Sequence, residues 1–386
     1  MYPKIHLAID NCVFYKRWTK PDQWAEMISS LGVRYVEASA DTELDPLYMG
    51  ERYLHTWIEQ VQNAEQKHDI KVCNLYSGHG TYTTLGLTHT EESVRSHMIK
   101  NWFFPMVEMA GKLKCGMGFF AHAFNHSVLQ NCDTYEQYIY ILTEALTQIN
   151  QYAHSVGCGQ LAIEQMYTPH QYPWRIRDTK SLIADVSCRS GHSFYFTEDV
   201  GHHHPKFIRP TKDMLCRGEN LWLGSDNAFR LYKEKGVASW DAIEADMDRN
   251  PQLFTGEKDC DCYEIIRQLG CYSPIIHLQQ TNGRQSAHLP FTPEENKKGI
   301  ITGEKILRSL KASYDQPVDI TMPKRVSDIY LTLELFSGTT SIMAGVLEDC
   351  SASVAYWRQF IPKDGMALDE LVSLLERSGD ACKGTM

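Results

Sequence analysis

The chain has 386 residues, of which 43% are hydrophobic and 22% are charged, a composition typical of globular proteins. Its formal net charge of −10 argues against a nucleic-acid partner, because such proteins usually carry a basic surface. No apolar stretch reaches the length of a membrane span, and the start MYPKIHLAIDNC lacks the pattern of a signal peptide. Twelve scattered cysteines, several of them inside apolar segments, indicate reduced thiols, so we expect a cytoplasmic protein.

Strand-like and helix-like segments alternate along the chain. Apolar, β-rich runs predict eight strands, at 4–11, 33–38, 70–76, 116–122, 159–164, 193–199, 274–280 and 329–335. Segments with helical spacing separate them, at 21–31, 51–67, 93–113, 135–156, 178–188, 263–269 and 300–313. Because eight parallel strands are the number that closes a barrel, the sequence predicts an α/β fold, a (β/α)8 TIM barrel.

The pattern predicts a single domain over residues 1–386, with two additions to the barrel. One is a long polar and aromatic insertion after the sixth strand, at 205–259, and the other is a set of C-terminal helices within 339–386. A loop as long as the insertion is usually a functional lid or an interface. It is therefore a natural place for a partner subunit in a homodimer or homotetramer.

Four of the predicted strands end near a residue that can bind a metal. Glu164 ends the fifth strand, Asp199 the sixth and Glu334 the eighth. His277 and Gln279 lie near the end of the seventh strand with the same inward parity, and the alternation of side chains does not choose between them. A parallel barrel gathers these ends on one face, so the sequence predicts a site for one divalent ion (manganese, magnesium, cobalt or zinc). The alternative is that each carboxylate only bonds to a loop, but three buried together are costly without a cation.

The order of these residues resembles the xylose-isomerase-like TIM barrels, which are sugar and sugar-phosphate isomerases and epimerases. The nearest matches are to hydroxypyruvate isomerases and ketose 3-epimerases. Their motifs correspond here to Glu164, Asp199-Val-Gly-His202, His277-Leu-Gln279 and Glu334. The His-x-Gln form implies that Gln279 is the fourth metal ligand and that His277 lies beside the metal, among the residues that contact the substrate.

The resemblance also implies an activity, which is the metal-dependent isomerisation or epimerisation of a short ketose or aldose or its phosphate. Glu164 and Glu334 would bind the metal and also remove and return a proton beside the substrate carbonyl, through an enediolate. His202, together with Arg284 beyond the seventh strand, would hold the substrate hydroxyls or a phosphate.

The sequence positions of two further side chains predict that they bind substrate. His122 ends the predicted fourth strand and would line the pocket. Arg175 follows Trp174 in the segment TPHQYPWRIRD after the fifth strand, where an aromatic ring beside an arginine is typical of a sugar- or phosphate-binding loop. The alternative for that segment is the capped start of a helix with a packed tryptophan.

Other functions are compatible with the same pattern. A lyase that dehydrates an inosose or a dehydroshikimate-like acid would begin with the same proton removal. A nuclease acting at apurinic sites would need more histidine ligands and a basic groove, which the acidic chain does not favour. The sequence also argues against a non-enzymatic barrel that has lost its metal, because the three carboxylates Glu164, Asp199 and Glu334 are all present.

Overall fold

The computed structural model describes residues 2–14, 20–78, 86–120, 123–213 and 240–383. Its strands, β1 to β9 in chain order, are Lys4–Asp10, Tyr35–Ser39, Lys71–Ser77, Gly116–Phe119, Leu161–Glu164, Tyr195–Asp199, Ile275–Leu278, Asp328–Leu333 and Met366–Ala367. Strands β1 to β8 pair in parallel in chain order, and β8 pairs with β1 to close the ring. The predicted (β/α)8 TIM barrel is confirmed.

Helices cover the outside of the barrel. The α-helices are Pro21–Ser30, Ala40–Glu43, Pro46–Met49, Glu51–His68, Glu92–Met98, Phe104–Leu113, His126–Leu129, Cys132–Ser155, Ile176–Ser190, Trp240–Arg249, Cys262–Leu269, Pro293–Lys298, Gly303–Asp315, Met343–Arg358 and Leu368–Lys383. Short 3-10 helices are Asn11–Phe14, Pro205–Phe207, Pro251–Leu253, Glu257–Cys260 and Gly270–Tyr272. Within the described ranges, no helix has the length and apolar character needed to cross a membrane.

The local signals explain where several helices begin and end. Pro21 opens its helix at the first turn, where a missing N–H is not needed, and Gly32 follows the helix with φ +76°, a conformation that favours glycine. The helix predicted over 93–113 is interrupted by a π-helical segment, Ile99–Phe103. Pro105 follows this segment and cannot donate a hydrogen bond to the preceding turn, which accounts for the break in the regular ladder.

The sequence did not predict β9, which has only two residues. It pairs antiparallel with the first residues of β1, through Ile5 and Met366, and so lies at the end of the barrel opposite the predicted site. Asp364 holds this segment in place, because it accepts a hydrogen bond from the Leu7 amide at 2.9 Å and pairs with Arg358. A pattern of two residues is too short to be read as a strand from sequence.

The insertion after β6 has a small apolar cluster of its own. Its buried and partly buried members are Phe207, Trp240, Ile243, Met247, Leu253 and Phe254. An isolated bridge between Ile208 and Thr255 joins the two described ends of the insertion. The remainder, at 214–239, lies outside the described residues, and its role as a lid or an interface stays a prediction.

Candidate metal centre

The ends of β5 to β8 bring four ionisable side chains into one buried group. Glu164, Asp199, His277 and Glu334 each offer a ligand atom, and these four atoms lie within 4.8 Å of one another. The side chains are almost inaccessible, with residue exposures of 3%, 0%, 0% and 5%. Glu164 and Asp199 are the last residues of their strands, and Glu334 directly follows β8. The predicted convergence of donors at the carboxyl ends of the strands is therefore present in the structure.

His277 lies between carboxylates on both sides of its ring. Its Nε2 is 2.9 Å from Glu37 Oε2, while its Nδ1 is 3.1 Å from Glu164 Oε1 and 3.3 Å from Glu334 Oε2. Glu37 is further held by Asn74, whose Nδ2 donates to Glu37 Oε1 at 2.6 Å. If Nε2 donates its hydrogen to Glu37, the lone pair of Nδ1 faces two more carboxylates. The arrangement becomes favourable when one of these carboxylates carries a proton, when the ring carries a second proton, or when a metal ion lies between them.

The buried acids beside His277 also have too little positive charge around them to compensate their own negative charge. Burial, with Asp199 and Glu164 nearby, raises the pKa of Glu334 well above its usual value, although His277 opposes the shift. Glu334 Oε2 has no hydrogen-bond partner among the described residues. Burial and Glu37 likewise raise the pKa of Asp10, at the end of β1, to about 8. Without a metal these groups keep protons, and the oxygen-rich donor set fits a divalent ion.

Gln279, the ligand implied by the resemblance, contacts Asp199, a member of the group of four. Its Nε2 donates to both carboxylate oxygens of Asp199 at 2.9 Å. Its Oε1 accepts hydrogen bonds from the backbone N–H groups of Ala287 at 2.8 Å and His288 at 2.6 Å. Two backbone donors fix the orientation of the amide, because only its oxygen can accept from them. The amide oxygen, the atom that would bind a metal, is thus already engaged.

His202 and His288 form a second group with Asp199, again with one atom from each within 4.8 Å. His202 Nδ1 is 3.0 Å from the Gln165 carbonyl, which turns Nε2 towards Asp199 Oδ2 at 3.2 Å. Although burial opposes it, His202 and His288 lower the pKa of Asp199 to about 2. His288 adopts a left-handed backbone, with φ +46°.

The structure places the remaining predicted substrate contacts differently, and Arg284 does not join this cluster. Arg284 is exposed in the loop after β7, where its backbone N–H donates to Asn282 Oδ1 at 3.0 Å. His122 lies outside the described residues. His277, predicted beside the metal, is fully buried among the carboxylates themselves.

Arg175 has a complete set of partners away from the cluster. Its guanidinium forms two hydrogen bonds with Asp178, at 2.7 and 2.9 Å, and donates to the carbonyls of Pro251 and Phe254 at 2.9 and 3.1 Å. It thereby joins the start of the helix Ile176–Ser190 to the insertion. Arg175 precedes this helix without a side-chain cap hydrogen bond, whereas Trp174 is buried as that alternative expects, and substrate binding by Arg175 stays a prediction.

Sequence reasoning missed two polar side chains that shape the centre. Glu37, within β2, pairs with His277, and Tyr76, within β3, donates a hydrogen bond to Glu164 Oε2. A charged residue inside the apolar run VRYVEA was the available signal for Glu37. Tyr76 carried no signal, because a tyrosine in a strand is ordinary.

Comparison with known proteins adds a fold assignment. Neither protein-family models nor curated protein sequences match the chain. Among solved structures, a protein assigned as a xylose isomerase from Rhodospirillum rubrum is similar, with a TM-score of 0.65 and 18% identity over 92% of this chain and 99% of that one. A D-psicose 3-epimerase solved in the presence of D-fructose has a TM-score of 0.56 and 14% identity, covering 92% and 98%.

A third solved structure belongs to a protein assigned as a 3-DHS dehydratase, AsbF, from Bacillus anthracis. Its TM-score is 0.50 at 11% identity, with 91% of this chain and 97% of that one covered. At such identities the likeness concerns the fold, and it agrees with the ring of eight parallel strands. In its architecture the chain is a (β/α)8 TIM barrel that is similar in fold to these three proteins.

Proposed function

We propose that the protein is a metal-dependent isomerase or epimerase that acts on a short ketose or aldose or its phosphate. The observation that carries the proposal is the buried group of Glu164, Asp199, His277 and Glu334, whose donor atoms lie within 4.8 Å of one another. The fold it shares with a D-psicose 3-epimerase supports the same reaction class.

We propose that the group holds one divalent ion, with His277 as the fourth ligand and Gln279 as the residue that orients Asp199. His277 Nδ1 faces Glu164 and Glu334, and Glu37 holds its other nitrogen, an arrangement typical of metal-binding histidines. The engaged amide oxygen of Gln279 argues for its supporting role. The ion would supply electrostatic stabilisation to negative charge developing on the substrate carbonyl oxygen.

Two carboxylates of the group are suited to carry the proton. Glu164 and Glu334 come from β5 and the end of β8, and both lie near His277 Nδ1, at 3.1 and 3.3 Å. One would take the proton beside the substrate carbonyl and the other would return it. Their burial excludes competing water, which favours proton return to the substrate.

Substrate hydroxyls would bind on the outer side of Asp199. His202 and His288 both reach this side, and His288 is partly exposed. Arg284, in the following loop, is exposed and could contact a phosphate if the substrate carries one. These three side chains present imidazole and guanidinium donors, which suit hydroxyl and phosphate oxygens.

The proposal is tested with a panel of ketoses and ketose phosphates, with added Mn²⁺, in deuterated water. Deuterium uptake at the carbon beside the carbonyl is expected, with conversion to an isomer or epimer. The dehydratase alternative predicts a product that is lighter than the substrate by one water molecule, a mass difference that mass spectrometry detects. If no sugar in the panel takes up solvent deuterium in the presence of the metal, the proposed reaction is wrong.

A further inference from the structure

Tyr76 reaches across the inside of the barrel from β3 to β5. Its hydroxyl donates a short hydrogen bond to Glu164 Oε2, and its ring meets the His277 ring edge-on, with centroids 4.7 Å apart and an interplanar angle of 90°. The residue is only 5% exposed. One side chain therefore contacts two members of the buried group that come from different strands.

This reach depends on β4, which lies between β3 and β5. Gly118 of β4 is the direct neighbour of Tyr76 in the parallel register, and the β5 residue beside Gly118 is Ala162. A Cβ at Gly118 would lie 3.1 Å from Tyr76 Cδ2 and 3.1 Å from Asn74 Nδ2, closer than an ordinary van der Waals contact. The missing side chain on β4 thus leaves the space through which Tyr76 passes.

The same strand makes room for the partner of Glu37. Gly116 of β4 neighbours Asn74 in the register, and a Cβ there would lie 2.7 Å from Asn74 Oδ1. Asn74 donates to Glu37, which in turn pairs with His277. The sequence Gly-Met-Gly therefore accommodates two polar side chains of β3, each of which ends at a member of the buried group or at its direct partner.

We propose that Tyr76 is a positioning residue for Glu164 and that Gly118 is required for this role. The inference rests on the proposed function, because it assigns Glu164 a fixed orientation during proton transfer and metal binding. The terminal torsion of a glutamate is broad and roughly two-fold, so a free carboxylate samples many orientations. The phenol holds Oε2, which leaves Oε1 directed at His277 Nδ1 and at the centre of the group.

The phenol is suited to act as a constant donor. A phenolic hydroxyl carries its proton at neutral pH, and a carboxylate can only accept from it. The hydrogen bond stiffens a carboxylate that must face the substrate in one direction. Its loss should slow the chemical step while leaving substrate binding by other groups unchanged.

Manganese affinity is the first test, measured by titrating chelator-treated protein with Mn²⁺ and following free Mn²⁺ by electron paramagnetic resonance. Tyr76→Phe removes only the hydroxyl, and Gly118→Ala displaces the ring. Each is expected to weaken binding by about 10- to 100-fold, as loss of a partner of a metal ligand typically does. The two losses of affinity should be less than additive in the double variant, because both changes disturb the hydrogen bond from Tyr76 to Glu164, although Gly118→Ala also crowds Asn74.

Two matched variants control for packing. Tyr330→Phe removes a phenol of β8 that packs on His6, towards the opposite end of the barrel, and Gly345→Ala adds a methyl group where nothing lies within 4 Å. Both should bind Mn²⁺ like the wild type. Far-UV circular dichroism of all variants verifies that the barrel is intact.

Kinetics on any ketose that the wild type converts provide the second test. Tyr76→Phe should lower kcat by about 10- to 100-fold with KM unchanged. Wild-type Mn²⁺ affinity in folded Tyr76→Phe would overturn the inference, even if the protein is an epimerase. Weakened affinity without turnover of any sugar would uphold the inference and contradict the proposed function, whereas a wild type that binds no Mn²⁺ would overturn both.

Discussion

Replacing Arg175 with methionine tests whether this buried arginine stabilises the fold or binds substrate. The side chains of Arg175 and Asp178 are 6% and 7% exposed and are joined by two hydrogen bonds. Removing one partner of a buried ion pair leaves the other charge uncompensated, which costs about 3–5 kcal/mol. We therefore expect Arg175→Met to lower the free energy of unfolding by about 4 kcal/mol.

Arg177 offers a matched control on the same helix. Its guanidinium is 3.7 Å from the same Asp178, but its side chain is 66% exposed. Because exposed ion pairs contribute little, Arg177→Met should change the free energy of unfolding by no more than about 0.5 kcal/mol. The comparison separates the effect of burial from the effect of losing a positive charge.

The loss in Arg175→Met should also depend on pH. Burial already raises the pKa of Asp178 above its usual value with Arg175 in place, and removal of the arginine raises it further. A carboxyl whose pKa is higher in the folded than in the unfolded protein makes the fold less stable as pH rises from the unfolded value to the folded value, above which the loss is complete. The difference from the wild type should therefore be larger at pH 8 than at pH 5.

The assay is urea unfolding at both pH values, followed by tryptophan fluorescence and by far-UV circular dichroism. Coincident transitions are needed before a free energy is calculated. If Arg175→Met is as stable as Arg177→Met, the buried pair does not have the assigned role. A stable Arg175→Met that binds substrate weakly would instead support the prediction made from sequence.

Three further predictions concern the metal centre. Glu164→Gln and Glu334→Gln should each reduce turnover by about 100- to 10,000-fold while the fold survives; near-normal activity in either would contradict the two-carboxylate scheme. Glu37→Gln should weaken Mn²⁺ binding by about 10- to 100-fold, because the His277 ring loses its anionic partner. Calorimetric titration measures the Mn²⁺ affinity, and an unchanged affinity would refute this prediction. Mn²⁺ should raise the melting temperature more at pH 8 than at pH 5. The pKa values of Asp10 and Glu334 are raised in the metal-free fold, so that fold loses stability as pH rises and these groups ionise. An increase in melting temperature that does not grow with pH would contradict this prediction.

The strands of the barrel could be predicted because their signals are local. Apolar runs and the residues that end them marked all eight parallel strands, and the acidic residues at three of those ends were found with them. The alternation of side chains could not choose between His277 and Gln279, because both share one parity, and only the resemblance selected Gln279. In the structure β7 ends at Leu278, so Gln279 lies beyond the strand and its direction is set by the 287–288 loop.

The residues that support the centre escaped prediction because their partners are distant in sequence. Tyr76 and Glu164 come from strands separated by β4, and their contact depends on the absence of a side chain at Gly118. Arg175 likewise finds the carbonyls of Pro251 and Phe254 in the insertion. Such contacts depend on the register of the barrel strands and on where the insertion packs. A short segment of sequence indicates neither of them.

The balance of charge in the barrel gives the strongest physical reason to expect a metal. Glu37, Glu164 and Glu334 surround one imidazole, and Asp10 and Asp199 lie close by. In the described ranges, no lysine or arginine pairs with any of these five carboxyl groups. His202 and His288 lower the pKa of Asp199, but a doubly protonated His277 compensates only one of the other four negative charges, so the remaining acids must bind protons or a cation. Protons would leave the acids neutral and unable to accept a substrate proton, whereas a divalent ion lets them stay ionised while buried. A centre that must both remain buried and act as a base is therefore best explained by a bound divalent ion.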